Sequence, residues 1–345
     1  MKTEVFVVDT PASLDDALER TARILHDGGL VAFPTETVYG LGGLATSDTA
    51  AKSIYNAKGR PSDNPLIIHI ATPEQAEPYA VTNEIYYRLA KQFMPGPLTV
   101  ILPKKDTIPL SVTGGLDTVA VRCPSHSVAR ALIERVGVPI AAPSANRSGR
   151  PSPTCAAHVF EDLAGRIEAI IDGGECEIGL ESTILKLEGE TGVLLRPGAI
   201  TADALSCVCE VKIAHAVTEA LSAKERPLSP GMKYRHYAPR ASLVLLDGTN
   251  ESVCSYMIQK ATQRTVGILC YDEEIAVMPQ GATLFPIGPS ADLDTQAKRL
   301  FAALRKADEH PLLDTLYTHL PPTQGVGLAL YNRLIRAAAH TIKKI

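Results

Sequence analysis

The sequence lacks long apolar runs, a signal-peptide pattern and paired-cysteine motifs. No apolar run approaches the roughly 20 residues that a membrane-spanning helix needs. The segment Met1–Asp9 has acids on both sides of a short apolar stretch, so we do not expect it to act as a signal peptide. The seven cysteines form no CxxC pair, and Cys207 and Cys209 have no further ligands at zinc spacing. These absences predict reduced cysteines in a cytoplasmic protein without membrane contact.

The common motifs of nucleotide and hydrolytic enzymes are also missing. The chain has no GxxxxGK[ST] phosphate loop, no GxSxG elbow, no HExxH and no kinase motif set. Any nucleotide chemistry must therefore use loops of another kind, in which small residues, hydroxyls and fixed cations follow strands.

Length and charge indicate two domains and a basic linker. A chain of 345 residues is too long for a typical single core. Residues 1–210 hold 18 basic and 26 acidic side chains, residues 211–240 hold 6 and 2, and residues 241–345 hold 10 of each. Since a duplex-binding protein usually presents a broad basic face, the acidic first part argues against stable nucleic-acid binding. The basic segment suits a linker that lies over an anion, although a solvated linker has the same charges.

The first part, residues 1–210, is predicted to be an α/β domain with a twisted mixed sheet. Ser13 is predicted to be the N-cap of a helix that ends near Asp27, where Gly28 follows. Apolar runs then alternate with helical patterns, without strict regularity. The predicted strands are 30–33, 65–70, 98–102, 118–122, 138–142, 167–171, 183–187 and 193–195, and the helices are about 46–57, 82–93, 126–136 and 154–164.

Residues 211–240 break this alternation with several prolines, and a smaller α/β unit follows over 241–345. Its pattern is Rossmann-like, but no GxGxxG follows its first strand, so a dinucleotide site is not expected there. The predicted elements are strands at 242–246, 265–270 and 312–317 and helices at 250–263, 291–307 and 328–343.

Two early loops combine hydroxyls, glycines and cations. In Pro34–Gly43 the hydroxyls of Thr35 and Thr37 can contact a ligand, but a tight strand-to-helix turn explains the loop about as well. In the second loop, Lys58 and Arg60 follow a helix, and prolines fix the backbone, which suits contacts with triphosphate oxygens. The same cations can simply complement the helix dipole.

Later segments add further candidates. Arg122 ends a strand before a proline and suits a small carboxylate, although a structural ion pair is an alternative. Ser144, Asn146 and Ser152 follow another strand and supply directional hydrogen bonds, which turn chemistry alone can also explain. His69 lies on a strand, where a histidine is more often a core residue than a ligand.

Taken together and in order, these segments resemble the YrdC-like domain of the threonylcarbamoyl-AMP synthase family. The matching motifs are Pro34–Leu41, Lys58–Pro61 with Asn64–Leu66, Pro95–Thr99, Ala142–Asn146 and Leu195–Gly198. The segment Ser229–Pro239 is similar to the linker of the longer, two-domain form, which carries a C-terminal Rossmann-like domain. The resemblance covers nearly the whole chain, more loosely after residue 241.

The resemblance implies a nucleotidyl transfer that prepares a tRNA modification. L-threonine, bicarbonate or carbon dioxide, and ATP give threonylcarbamoyl-AMP and pyrophosphate, and a separate tRNA threonylcarbamoyl transferase complex uses the product. Magnesium would bridge phosphate oxygens, with few protein ligands and no metal site of the protein's own. Positioning and charge neutralisation would carry most of the rate.

The resemblance also assigns residues to the two substrates, with Lys58 and Arg60 as the catalytic cations. In the linker, Tyr234 or His236 is an alternative to Tyr237. The threonine pocket would use Thr37, His69, Arg122, the backbone of Ala142, and Ser182, and ATP would contact Lys58, Arg60, Asn64, Thr118, Ser144, Asn146, Ser152, Arg196 and Tyr237.

Two rival functions remain open. One is an RNA-binding module of the same fold without catalysis, against which the acidic first domain argues. The other is a carbamoyl-adenylate enzyme of the hydrogenase-maturation type, but those proteins carry acylphosphatase and zinc-finger segments that this sequence lacks.

Overall fold

A computed structural model describes residues 2–219, 227–230 and 236–345. The chain divides into two compact units. Met1–Ser148, Ser152–Glu177 and Glu181–Lys233 form the first, and Gly149–Pro151, Ile178–Leu180 and Tyr234–Ile345 form the second. Two short segments that interrupt the first unit in sequence thus group with the second.

The first unit is built on one mixed sheet of eleven strands, as the irregular alternation of the sequence predicts. The strand order is β1-β8-β2-β3-β7-β4-β6-β5-β9-β10-β11, with both parallel and antiparallel neighbours. The strands are β1 Glu4–Val7, β2 Val31–Phe33, β3 Gly40–Leu44, β4 Ile67–His69, β5 Leu98–Pro103, β6 Thr118–Arg122, β7 Ile140–Ala142, β8 Ala169–Asp172, β9 Thr183–Glu188, β10 Thr191–Arg196 and β11 Glu210–Ile213. The helices are α1 Pro11–His26, α2 Asp48–Lys58, α3 Glu84–Phe93, α4 Ser127–Val136, α5 Ala156–Leu163 and α6 Ala202–Ser206.

Two local predictions in this unit are wrong. Thr10, not Ser13, is the N-cap of α1, and Ser13 is the N3 partner in a capping box with Thr10. The strand-to-helix turn, the alternative explanation considered for Pro34–Gly43, is not formed, because residues 34–39 connect β2 to β3 and this antiparallel pair precedes α2. The glycines of β3 suggested a loop, but a Cβ at Gly42 would lie 2.7 Å from a methyl group of Ile140, so tight sheet packing requires glycine there.

The two faces of the large sheet are covered differently. One face packs on residues of α2, α3 and α5, in a core that includes Ile54, Leu89 and Val159. On the other face, α1 and α4 pack on β1, β8, β2 and β7, with Leu25 and Leu132 in the core. The β7 residues of this second core are paired in register with β4, so the same face continues over β4, β6, β5 and β9. The candidate site lies on that continuation.

The second unit contains a five-stranded sheet in which every neighbouring pair is parallel, as a Rossmann-like pattern predicts. Its strand order is β14-β13-β15-β12-β16. The elements are β12 Ser242–Asp247, α7 Asn250–Lys260, β13 Val266–Cys270, β14 Thr283–Pro286, α8 Leu293–Asp308, β15 Thr315–His319, α9 Gly325–Ala337 and β16 Ile342–Lys344. The predicted helix at 328–343 is wrong at its end, because Ala339 and His340 have positive φ and the chain then forms β16.

All seven cysteines are free in this fold. Among the described residues, no helix is both long enough and apolar enough to cross a membrane.

Candidate functional site

A row of polar side chains crosses the middle of the large sheet. His69 at the end of β4 is paired in register with Arg122 at the end of β6, and Arg122 is paired with Thr99 of β5. Because residues paired across neighbouring strands point to the same face, these three side chains share one face. All three are buried.

Apolar residues extend the same face next to this row. Two residues along the strands from His69, Arg122 and Thr99 lie Ile67, Ala120 and Ile101. These three cluster with the buried side chains of Ile184, Leu195 and Ala216. The face therefore combines an apolar surface with a few convergent polar groups, as small-molecule sites usually do.

Arg122 is held by an acid that the sequence reading did not assign. Its Nη2 donates to Glu36 Oε1 at 2.7 Å, and the side chains of both residues are almost completely buried. The second oxygen, Glu36 Oε2, accepts from the backbone N–H of Ser125 at 3.2 Å. The Nε of Arg122 is buried without a hydrogen-bond partner among the described residues. The ion pair considered for Arg122 is thus present, and the Nε–H of the guanidinium has no acceptor among the described residues.

The hydroxyls of Thr35 and Thr37 are 2.8 Å apart and buried. Thr35 Oγ1 lies 2.6 Å from the carbonyl oxygen of Val38, to which it can donate. Thr35 Oγ1 also accepts from the backbone N–H groups of Thr37 and Val38, each at 3.2 Å. Either hydroxyl can be the donor in the Thr35–Thr37 contact, and Thr37 Oγ1 keeps lone pairs for a ligand.

A second hydroxyl pair lies where the row reaches β5 and the start of β9. Thr99 Oγ1 and Ser182 Oγ are 2.7 Å apart, and both residues are fully buried. Arg196 fixes Ser182 through two donors, since its Nη2 contacts Ser182 Oγ at 3.0 Å and its Nε contacts the Ser182 carbonyl at 2.9 Å. Ser182 Oγ accepts from Arg196, so one of the two hydroxyl protons of the pair is used between them and the other can be donated to a ligand.

His69 is neutral in this environment. Burial, and next the charge of Arg122, lower the pKa of His69 to about 3. Its Nδ1 contacts the carbonyl oxygen of Ile67 at 3.1 Å, and its ring meets Phe33 edge-on. Both the packing role and the ligand role considered for His69 are compatible with this position.

The two predicted loops around Lys58 and Asn146 meet in the structure. Lys58 ends α2, and Gly59 follows as a left-handed C-cap. The buried Lys58 Nζ donates to the carbonyls of Ser144 and Asn146, and Ser144 Oγ donates to Asn146 Oδ1. One cation therefore organises the backbone of the loop that follows β7.

Arg60 and Asn64 lie in the loop between α2 and β4. Arg60 Nη2 donates to the Pro65 carbonyl at 2.9 Å, and its guanidinium lies 5.9 Å from the Tyr55 ring centroid. Asn64 is buried, and its Oδ1 has no hydrogen-bond partner in the described part of the chain. Since buried polar atoms are nearly always satisfied, Asn64 Oδ1 is available to a hydrogen-bond donor from outside the described residues.

Three further assigned residues lie in or beside the large sheet. Ser152 is buried and its Oγ donates to Glu181 Oε1. Ala142 ends β7, where it is paired in register with Ile67. Thr118 begins β6, four positions before Arg122 and therefore on the same face of that strand.

The linker candidates are resolved only in part. Tyr237 belongs to the second unit, where its ring stacks on Phe301 with centroids 5.2 Å apart. His236, one alternative to Tyr237, lies next to it, with ring centroids 5.6 Å apart. Tyr234, the other alternative, lies outside the described residues. The choice among the three aromatic residues therefore stays a prediction.

The residues that the sequence reading missed are Glu36, Thr99 and Glu181. Glu36 had a signal in the sequence, because it is the one charged residue between Leu30 and Ser47, a stretch otherwise rich in apolar and hydroxyl side chains. A charge in such a segment needs a buried partner. The partner, however, lies 86 positions away and is identified only by the fold.

No group of three or more His, Cys, Asp or Glu side chains that could hold a metal ion occurs among the described residues. The polar groups around the site are hydroxyls, the two side-chain amides of Asn64 and Asn146, two carboxylates, one imidazole and cations.

Family comparisons match both parts of the chain. Residues 23–198 match a family model described as telomere recombination, Sua5_yciO_yrdC. Residues 200–339 match a model described as the C-terminal domain of threonylcarbamoyl-AMP synthase.

Individual proteins give the same result over almost the full length. The chain is 46% identical to the threonylcarbamoyl-AMP synthase of Bacillus subtilis, covering 98% of each protein. It is 45% identical to the protein of the same name from Pyrococcus abyssi, covering 94% of each. A crystal structure of P. abyssi Sua5 complexed with L-threonine superposes with a TM-score of 0.90 at 42% identity, covering all of both chains.

Proposed function

The chain belongs to the threonylcarbamoyl-AMP synthase family, and we propose that it makes threonylcarbamoyl-AMP and pyrophosphate from L-threonine, bicarbonate or carbon dioxide, and ATP. In enzymatic terms it is a transferase that moves an adenylyl group, a nucleotidyltransferase. The product supplies the threonylcarbamoyl group for a modified adenosine in tRNA.

One observation carries the amino-acid part of this proposal. The buried row and the hydroxyls beside it offer both donors and acceptors, as a zwitterionic amino acid requires. Arg122 Nε and the Thr99–Ser182 pair offer N–H and O–H groups, while Thr37 Oγ1 offers lone pairs. A carboxylate at the donors and an amine at the acceptor would satisfy all of them.

The chemistry needs little from protein acids and bases. The amine of threonine, once deprotonated, gives a carbamate by attacking carbon dioxide, with loss of a proton, or bicarbonate, with loss of water. A carbamate oxygen then attacks the α-phosphate of ATP, and pyrophosphate leaves. The protein's part is to align the carbamate with the α-phosphate and to neutralise charge, for which Lys58 and Arg60 are the proposed groups.

The remaining assigned residues would hold the nucleotide. Asn64 Oδ1 is the buried acceptor without a partner among the described residues, and Ser144 and Asn146 lie in the loop that Lys58 organises. The other proposed ATP contacts are Thr118, Ser152, Arg196 and Tyr237.

We propose magnesium as the cofactor, bound mainly through the phosphate oxygens of ATP. Hydroxyl and amide oxygens near the site fit an ion that brings its own ligands and waters. When bound, it would neutralise phosphate charge.

The proposed partners are the three small-molecule substrates and the transferase complex that consumes the product. Stable binding of nucleic acid and contact with membranes are not part of this proposal. The proposed location is the cytoplasm.

Threonine dependence tests this function. The purified protein is supplied with ATP, magnesium, bicarbonate and labelled L-threonine, and pyrophosphate release and labelled adenylate are measured. Both are expected only when threonine is present. Pyrophosphate release that is independent of threonine would refute the substrate assignment. Salt-dependent tRNA binding without any adenylate formation would favour the RNA-binding alternative.

A further inference from the structure

In the buried pair of Glu36 and Arg122, both oxygens of the acid have hydrogen-bond partners, whereas the Nε–H of the base has none among the described residues. Resting on the proposed function, we propose that Glu36 is a positioning residue that holds the Arg122 guanidinium with its Nε–H directed to the carboxylate of the substrate amino acid. Glu36 itself would not touch the reacting atoms.

The connection of Glu36 to the fold makes it a rigid support. One carboxylate oxygen accepts from Arg122 Nη2 at 2.7 Å and the other from the Ser125 backbone at 3.2 Å. Ser125 directly precedes His126, the N-cap of α4. Arg122 is therefore tied, through a single side chain, to the start of a helix packed on the sheet. Because both oxygens are used, an amide with its one acceptor cannot replace the carboxylate fully.

The way in which Arg122 is held leaves a defined part of the guanidinium for a ligand. Nη2 is occupied by Glu36 and also lies 3.4 Å from Thr35 Oγ1. Nε is buried without a partner among the residues described. A buried N–H without an acceptor is destabilising, because it has lost its hydrogen bond to water. A substrate carboxylate would remove this cost, and Thr99, the neighbour of Arg122 in register, lies beside it.

A purely structural pair would be expected to satisfy its groups more completely. Buried ion pairs contribute little net stability unless the remaining hydrogen-bonding groups are also satisfied. Here the acid is satisfied at both oxygens, whereas the base is not. In the proposed role, Glu36 holds Arg122 through both of its oxygens, and the Nε–H of Arg122 is left for the carboxylate of the substrate.

Charge and orientation make opposite predictions for the removal of Glu36. If Glu36 only neutralised Arg122, its loss would leave a bare cation and would tighten the binding of a carboxylate. If Glu36 positions Arg122, its loss frees the guanidinium to rotate and weakens that binding. The sign of the change therefore distinguishes the two roles.

The experiment compares Glu36→Gln and Glu36→Asp with the wild type. Binding of L-threonine is measured by calorimetry, and the KM values for threonine and ATP are measured by pyrophosphate release. Glu4→Gln is the matched control, because Glu4 forms an exposed ion pair with Arg20 at 2.6 Å. Thermal unfolding of each variant reports whether the fold is intact.

We expect Glu36→Gln to weaken threonine binding by at least about tenfold, which corresponds to about 1.4 kcal/mol, with the KM for ATP changed less than about twofold. Glu36→Asp keeps the charge and both oxygens but is one methylene shorter, so we expect a smaller loss of the same kind. Glu4→Gln is expected to match the wild type.

Other outcomes would overturn the inference. Tighter threonine binding by Glu36→Gln would show that charge, not orientation, is what Glu36 controls. Wild-type threonine affinity in Glu36→Asp, or an unstable Glu36→Gln with unchanged threonine KM in its folded fraction, would leave Glu36 only a structural role. A wild-type protein without threonine-dependent pyrophosphate release would refute the proposed function as well. This assay uses the wild type alone, so its failure is distinguished from a failure of the Glu36 variants to behave as expected.

Discussion

Among the described residues, each unit contains a buried acid–base pair at the end of a strand, and the two pairs are completed differently. In the first unit, Arg122 ends β6 and contacts Glu36 at 2.7 Å. In the second, His319 ends β15 and its Nε2 contacts Glu274 Oε1 at the same distance. All four side chains are nearly inaccessible to solvent.

The pair in the second unit is closed by its own neighbours. Glu274 Oε2 accepts from the backbone N–H of Tyr271 at 2.8 Å, and the Tyr271 ring stacks on His319 with centroids 4.3 Å apart. In the first unit, Arg122 Nε has no partner among the described residues. The difference suggests that the closed pair stabilises the local fold, whereas the open pair is built to receive a ligand.

The largest expected effect comes from removing Arg122. Arg122→Met leaves Glu36 buried without its cation, so we expect a loss of about 3–5 kcal/mol in the free energy of unfolding. Threonine binding should also fall by about a hundredfold, because a carboxylate loses its charged donor. Urea unfolding and calorimetry measure the two effects.

A double variant separates stability from binding in that experiment. Arg122→Met/Glu36→Leu replaces the whole pair with apolar groups, so most of the lost stability is expected to return. Threonine binding is expected to stay weak. Recovered threonine affinity in the double variant would contradict the distinction between the open and the closed pair.

An intermediate effect is expected at the closed pair. Glu274→Gln keeps one acceptor but removes the charge, so we expect a loss of about 1–3 kcal/mol in unfolding free energy. The KM values for threonine and ATP are expected to stay within about twofold of the wild type. A large change in either KM would show that the second pair also serves the reaction.

The smallest expected effect, counted per pH unit, is a dependence of the free energy of unfolding on pH that is due to His69. Its pKa is depressed to about 3 by burial and by Arg122, so the unfolded chain binds a proton that the native protein does not. Stability is therefore complete above about pH 6.5 and falls by up to about 1.4 kcal/mol per pH unit toward pH 3.

The slope of the unfolding free energy against pH is measured by urea unfolding between about pH 6.5 and about pH 5, above the range where most carboxylates titrate. His69→Asn is expected to flatten it, while His26→Asn, on the exposed end of α1, should leave it unchanged. Equal slopes in wild type and His69→Asn would mean that His69 is protonated in the native protein.

Much of the fold follows from local sequence patterns. The sequence predicts Thr118–Arg122 with its observed bounds, and the mixed character of the first sheet and the Rossmann-like second unit are confirmed. Apolar periodicity is a local property, and it identifies elements whose core faces are long enough. Short strands such as β1, β3, β11, β14 and β16 were missed because glycine, charge or brevity hides their pattern.

The site residues were named partly from motifs, and the structure explains some of them. Lys58 meets Ser144 and Asn146 although 86 residues or more separate them in sequence. Four residues assigned to the threonine pocket lie around one row of the sheet, namely Thr37, His69, Arg122 and Ser182. The contact assigned to Tyr237, by contrast, stays a prediction.

The sequence by itself determined the element types, the two-part organisation and the motifs by which the family is recognised, because these depend on residues close together in the chain. Only the tertiary structure decided that Glu36 pairs with Arg122, and that Thr99 and Ser182 form a hydroxyl pair at the end of the same row. Strand register brings these residues together, and register is set by packing across the whole sheet. The tertiary structure also decided that Arg122 Nε and Asn64 Oδ1 are buried without a hydrogen-bond partner among the described residues, and both residues belong to the proposed substrate contacts.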